Sequence, residues 1–147
     1  MKTLLLSVVF LLVGADAPKD DPAKKDLEAL QGTWTAVVVE RNGQKAPEEV
    51  LKNFKVVFKG NKMVINPNSD NRTSTFKLDS TKKPKWMDTS PEQGPAKGKS
   101  LPAIYELDGD TLKVCFDNEG VSDKRPSEFK TTPGSGLALF VLKREKK

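Results

Sequence analysis

The sequence predicts an all-β protein: an up-and-down antiparallel barrel of eight or nine strands with one short helix. Three observations carry this. Short segments of alternating polarity follow one another from Gly32 to the C-terminal region. Turn-forming pairs separate them at short intervals, among them Asn42-Gly43, Gly60-Asn61 and Asp108-Gly109. Gly32-x-Trp34 opens the first segment, where an indole can plug one end of a small closed barrel. An open sheet of this size exposes two edges, and closure removes them. Eight strands close around an interior that side chains fill or that holds one small ligand. A two-sheet sandwich is the alternative.

The 147 residues suffice for one domain. Residues 1–17 read as an export signal: Lys2 supplies a positive start, Leu4 to Val13 is apolar, and Ala15-Asp16-Ala17 offers a small-x-small cleavage site. That apolar run falls short of the roughly 20 residues of a membrane-spanning helix. Export to the periplasm or the extracellular space follows, with no transmembrane segment after cleavage. Residues 18–26, charged and proline-containing, read as a disordered linker. The barrel is expected over 27–145, with a helical turn at Asp26 to Leu30 leading in.

The first strand is Gly32 to Arg41. Trp34, Ala36 and Val38 share one parity, Thr35, Val37 and Val39 the other, and both faces are apolar enough to need cover. Pro47 to Asn53 reads as a short helix, with Pro at the first position, Glu48 and Glu49 in the first turn and Lys52 near the end. Its apolar side, Val50, Leu51 and Phe54, suits it to capping one mouth. Phe54 to Lys59 and Lys62 to Asn66 form a hairpin, followed by a polar loop over residues 67–71. Strands are expected at Thr73 to Leu78 and Lys85 to Thr89, then a Pro/Gly/Lys loop from Ser90 to Ser100. Ala103 to Leu107 and Asp110 to Phe116 make the clearest hairpin, around a pair that tolerates positive φ. A short strand is expected at Ser127 to Lys130, a turn at Pro133 to Gly136, and the last strand at Leu137 to Arg144.

Little in the composition supports catalysis. There is no histidine, so Ser-His or Cys-His pairs and histidine metal sites are impossible. Asp108 and Asp110 flank a turn, and Glu48 and Glu49 open a helix, which accounts for both carboxylate pairs. Asn66, Asn68 and Asp70 mimic the start of a calcium loop. Asn71 then stands where Gly belongs and Lys77 where the bidentate Glu belongs, so neither metal nor cofactor is expected. Asn71-Arg72-Thr73 is a glycosylation sequon, relevant only in a eukaryotic secretory route. Cys115 is the only cysteine, reads as a buried structural thiol, and leaves no intramolecular disulfide.

The net charge of +5 comes from 25 basic and 20 acidic residues. Lysine dominates over arginine, a bias toward a solvated surface rather than forked recognition of phosphates and bases. No nucleic-acid partner is expected, and the chain is expected to be a monomer. Lys82, Lys83, Lys85, Lys97 and Lys99 form the notable charge cluster, flanking a pair of loops and suited to solvation first and an anionic surface second.

Gly32, Trp34 and Arg144 form a candidate structural lock. The first and last strands are neighbours in a closed barrel, so Arg144 can lie over the Trp34 indole for roughly 0.5–2 kcal/mol. With the lock, Leu30-Gln31-Gly32-Thr33-Trp34, Val56-Val57-Phe58-Lys59-Gly60, Gly94-Pro95-Ala96-Lys97-Gly98-Lys99, Ile104-Tyr105-Glu106-Leu107-Asp108-Gly109-Asp110-Thr111-Leu112 and Arg125-Pro126-Ser127-Glu128-Phe129 resemble a family of small lipocalin-like (calycin-type) proteins abundant in planctomycete bacteria. The resemblance spans about residues 27–145. It implies a lipocalin-like barrel in a bacterial envelope setting, and it implies no activity and no binding residues.

Strand parity then gives the interior of a carrier for a small hydrophobic or amphipathic ligand: Trp34, Val38, Phe58, Ile65, Phe76, Tyr105, Leu112, Val114 and Phe140. The alternative is a cell-envelope interaction or structural module with a filled barrel. An enzyme is the least supported of the three classes.

Overall fold

The computed structural model describes residues 22–66, 71–117 and 124–146. The export signal, residues 18–21 of the linker and most of the 67–71 loop lie outside the described residues. Nine strands form one antiparallel sheet: β1 (Gly32–Arg41), β2 (Gln44–Lys45), β3 (Lys55–Lys59), β4 (Lys62–Ile65), β5 (Arg72–Asp79), β6 (Lys85–Pro91), β7 (Leu101–Asp108), β8 (Thr111–Asp117) and β9 (Leu137–Arg144). From β3 onward each strand pairs with the next, and β9 returns to pair with β1 from Trp34↔Arg144 to Arg41↔Ala138. β1 also pairs with β3, which closes an eight-strand barrel, and β2 is the extra strand on the upper half of β1. Alternating parity along these strands leaves one apolar face inside, and closure buries it without leaving a long free edge.

The antiparallel order gives the barrel two unlike ends. At one end lie the start of β1, the tight turns at residues 60–61 and 109–110, and the turn at residues 80–84. At the other lie the Asn42-Gly43 turn, helix α2 (Glu48–Asn53) and the loop of residues 92–100. Both ends of the described chain, helix α1 (Pro22–Leu30) and the residues after β9, sit at the short-turn end. Among the described residues no helix is long and apolar enough to cross a membrane.

Three features differ from the sequence reading. The helical turn expected at residues 26–30 extends back to Pro22, so half of the expected linker is ordered as α1. Its apolar positions are few, and tertiary contacts rather than propensity hold it. Residues 127–130 form no strand; they lie against the outside of the barrel, anchored by side chains instead of a ladder. β1 carries a register shift between Ala36 and Val38. The extra residue of this bulge flips the parity above it, so Val39 enters the core and Val38 does not.

Candidate functional site

The barrel interior is the first candidate. Phe58, Phe76, Tyr105, Leu112, Val114 and Phe140 all lie in the buried core, and Ile65 packs against it half-buried. Val38 is the exception: its expected place inside belongs to Val39, because the bulge turns Val38 outward. The rings interlock edge to face, with centroids 4.9 Å apart for Phe54–Phe140 and for Phe116–Phe140, and 5.5 Å for Phe58–Phe76. Met87, Ala103, Leu112 and Ala138 are each 0% exposed. A void able to hold one water would expose its walls, so no such void adjoins these residues. The interior around them is packed with its own side chains, as an eight-strand barrel permits.

The short-turn end is sealed. Trp34, 0% exposed, donates from Nε1 to the Leu30 carbonyl at 2.8 Å. The Arg144 guanidinium stacks 4.3 Å above its ring centroid. The same guanidinium donates to the Gln31 carbonyl at 2.9 Å, to the Ala29 carbonyl, and to Asp110 Oδ1 at 3.2 Å. Gly32 has a φ of 118°, which a side chain would strain, and its missing Cβ would stand 3.9 Å from the guanidinium. Gln31 clasps Gly60 from both sides, accepting from its N–H at 2.7 Å and donating to its carbonyl at 3.0 Å.

α1 closes the rest of this end. Asp26 Oδ2 accepts from Tyr105 Oη and from Lys85 Nζ, both at 2.8 Å. Burial pushes the Tyr105 hydroxyl well above its ordinary value, and the Asp26 carboxylate adds to that by accepting the proton it would otherwise lose. The three groups satisfy one another and tie the helix to β6 and β7. This cluster left no sign in the sequence, since Asp26 lies 79 residues before Tyr105 in a segment without apolar periodicity.

The lysines do not converge. Lys82 and Lys83 sit in the turn before β6 and Lys85 begins it, whereas Lys97 and Lys99 lie in the loop after it. β6 separates the two groups by its length, roughly 20 Å at about 3.3 Å per residue. The charge cluster expected of these lysines is therefore split between opposite ends. Lys82 instead stacks over Trp86 at 4.7 Å, and Arg125 covers the same ring at 4.0 Å.

Arg125 anchors an outer strap. It donates to the Ala103 carbonyl at 2.8 Å and to Asp88 Oδ1 at 2.7 Å. The segment from there to Thr131 runs past Cys115, which like Ile104 is fully buried on the outward side of the sheet. Cys115 Sγ contacts the Lys130 carbonyl at 3.8 Å, and burial pushes its thiol up. Thr131 pins the strap to the long-loop end by donating to Glu40 Oε1 at 2.6 Å and accepting from the Gly43 N–H at 2.9 Å.

The long-loop end carries an open depression of about 240 Å³, lined by Val39, Arg41, Gln44, Lys45, Ala46, Val50 and Phe54. β1 and β2 form one wall, held together by the Ala46 N–H donating to the Val39 carbonyl at 2.8 Å, and α2 forms the other. Val50 remains 47% exposed. The sequence marked the apolar side of α2 and its place at a mouth. It did not mark Arg41 and Lys45, which only the turn at Asn42-Gly43 brings beside that helix. Among the described residues no group of three or more acidic or thiol side chains is placed to hold a metal.

No family model, curated protein or solved structure matches this chain.

Proposed function

We propose that this chain is an exported, monomeric, non-catalytic lipocalin-like module of the bacterial cell envelope, and that it binds through its outer surface rather than by carrying a ligand inside. The single observation that carries this reading is the filled interior. Met87, Ala103, Leu112 and Ala138 meet no void, and the phenylalanine rings interlock around them. A carrier site of the usual kind needs roughly 300 Å³ or more of enclosed apolar space. Carriage of a small hydrophobic ligand in the barrel therefore takes second place. Export draws its support from the leader-like pattern of residues 1–17. The non-catalytic reading draws on the lack of histidine and on carboxylate pairs explained by a turn and a helix start. Kinship with the planctomycete lipocalin-like family rests on the sequence stretches quoted above.

Native mass spectrometry of protein purified gently from its own host tests this reading. The expected spectrum shows one chain at its apo mass. A stoichiometric apolar molecule retained by the folded chain would overturn the filled-barrel reading.

A further inference from the structure

Asn42-Gly43 is the one Asn-Gly pair in the chain, and it makes the whole turn between β1 and β2. Asn42 has a φ of 49° and Gly43 a φ of 79°, the paired positive angles of a type I′ turn. Packing also needs glycine here, since a Cβ on Gly43 would stand 3.0 Å from Pro133 Cδ. Without that Cβ the Gly43 nitrogen lies open to the side-chain amide before it, which makes this dipeptide prone to self-modification. The Gly43 nitrogen bonds to Asn42 Cγ, the Cγ–Nδ2 bond breaks, and the Gly43 amide proton leaves with Nδ2 as ammonia. A succinimide ring closes. Water then opens it at either carbonyl, leaving aspartate or isoaspartate at position 42.

One neighbouring segment, residues 131–137, clamps both reacting groups. The Gly43 N–H donates to Thr131 Oγ1 at 2.9 Å, and the Thr131 hydroxyl donates onward to Glu40 Oε1 at 2.6 Å. Asn42 Oδ1 accepts from the Gly136 N–H at 2.7 Å, and the Asn42 N–H donates to the Leu137 carbonyl at 3.1 Å. Thr131 is 5% exposed, so little water reaches its bonds. Ring closure has to bring the Gly43 nitrogen, stripped of its proton, onto Asn42 Cγ. That takes the N–H off Thr131 and turns the side chain off Gly136. A hydrogen-bonded amide gives up its proton through local opening, so opening of this segment sets the rate. The two products act differently. Aspartate keeps an oxygen for the Gly136 N–H, and its charge strengthens that bond. Isoaspartate puts an additional carbon into the main chain of a two-residue turn, which displaces the pairing of Arg41 with Gln44 and of Glu40 with Lys45.

We infer that Asn42 is a self-modification site gated by residues 131–137, and that its isoaspartate product dismantles the β1–β2 wall of the long-loop mouth. The whole folded chain is incubated in mildly alkaline buffer beside the same chain unfolded in guanidinium chloride. Mass spectrometry and an isoaspartate-specific methyltransferase locate the product in the Asn42 peptide, and NMR follows Gly43 amide exchange and the β2 signals. Conversion of the folded chain is expected to run at least about tenfold slower than that of the unfolded chain. Thr131→Val lacks the acceptor and is expected to speed both Gly43 exchange and conversion about tenfold, the loss of one hydrogen bond. Glu40→Gln, which weakens the hold on Thr131, is expected to act in the same direction by a smaller factor. Converted molecules are expected to lose the Gln44 and Lys45 strand signals and to keep those of Trp34.

Equal rates in the folded and unfolded chains would overturn the gating. Slower conversion in Thr131→Val would overturn it too, because it would make Thr131 and Glu40 the base that draws the proton from Gly43. Faster Gly43 exchange without faster conversion would separate the chemistry from the opening and sink the inference. Asn42→Asp is the control for the product and is expected to keep the β2 signals. Their loss in that variant, or their survival in the isoaspartate form, would overturn the consequence drawn for the mouth.

Discussion

Replacing Ala103 by leucine asks directly whether the barrel has room. Ala103 faces inward at 0% exposure, between Met87 on β6 and Phe116 on β8. Leucine adds three carbons at that point. A hollow barrel would welcome them, since burying each carbon is worth about 0.8 kcal/mol, for a gain of about 2 kcal/mol. A filled barrel must displace Met87 or Phe116, and overpacking of that kind costs about 1–3 kcal/mol. The two cases differ in sign, which makes the experiment decisive. Urea denaturation followed by tryptophan fluorescence reads the outcome. With a slope of about 1–3 kcal/mol per molar urea, the midpoint is expected to fall by about 1 M at unchanged slope. A midpoint that rises would refute the packing argument and reopen carriage inside the barrel.

Two further perturbations probe the sealed end and the strap. Tyr105→Phe removes the hydroxyl that burial and Asp26 hold protonated. A group whose folded pKa is raised contributes stability that is intact below its unfolded value, 10.0 for tyrosine, and loses it as pH rises beyond that. The native protein is therefore expected to lose stability more steeply than Tyr105→Phe above about pH 10, and parallel curves would refute the upward shift that burial, with Asp26, gives the Tyr105 hydroxyl. Arg125→Ala removes the bonds from the strap to Ala103 and Asp88. Loss of about 1.4 kcal/mol in local closure raises Cys115 reactivity toward a thiol reagent about tenfold in the folded protein, and an unchanged rate would show that the strap is held elsewhere.

The sequence disclosed strand order and closure because both are local or topological. Turn pairs such as Asp108-Gly109 announce hairpins, and closure makes neighbours of the first and last strands, so Trp34 and Arg144 could be placed together. The bulge in β1 was invisible for a specific reason. Val37, Val38 and Val39 are alike, so either parity satisfies an apolar interior, and only the pairing with Val141 and Phe140 selects Val39. α1 was half hidden because only Leu27 and Leu30 of its last turns pack into the core, while Asp26 ties it to Tyr105 and Lys85 through contacts that no local pattern marks. Parity told which side chains point inward but not whether they fill the space. That depends on how the rings of Phe54, Phe116 and Phe140 meet, and those come from three separate elements. The mouth was divided in the same way: the apolar side of α2 was legible, while Gln44 and Ala46 join Val39 and Arg41 there only once β2 folds back on β1.

Both described chain ends leave from the pole that Trp34 and α1 seal. A fusion partner, a tag or a surface linkage attached at either end stands behind the barrel. The mouth with Arg41, Lys45 and Val50 then points the opposite way, so immobilising the molecule by either end presents the same face to the surroundings.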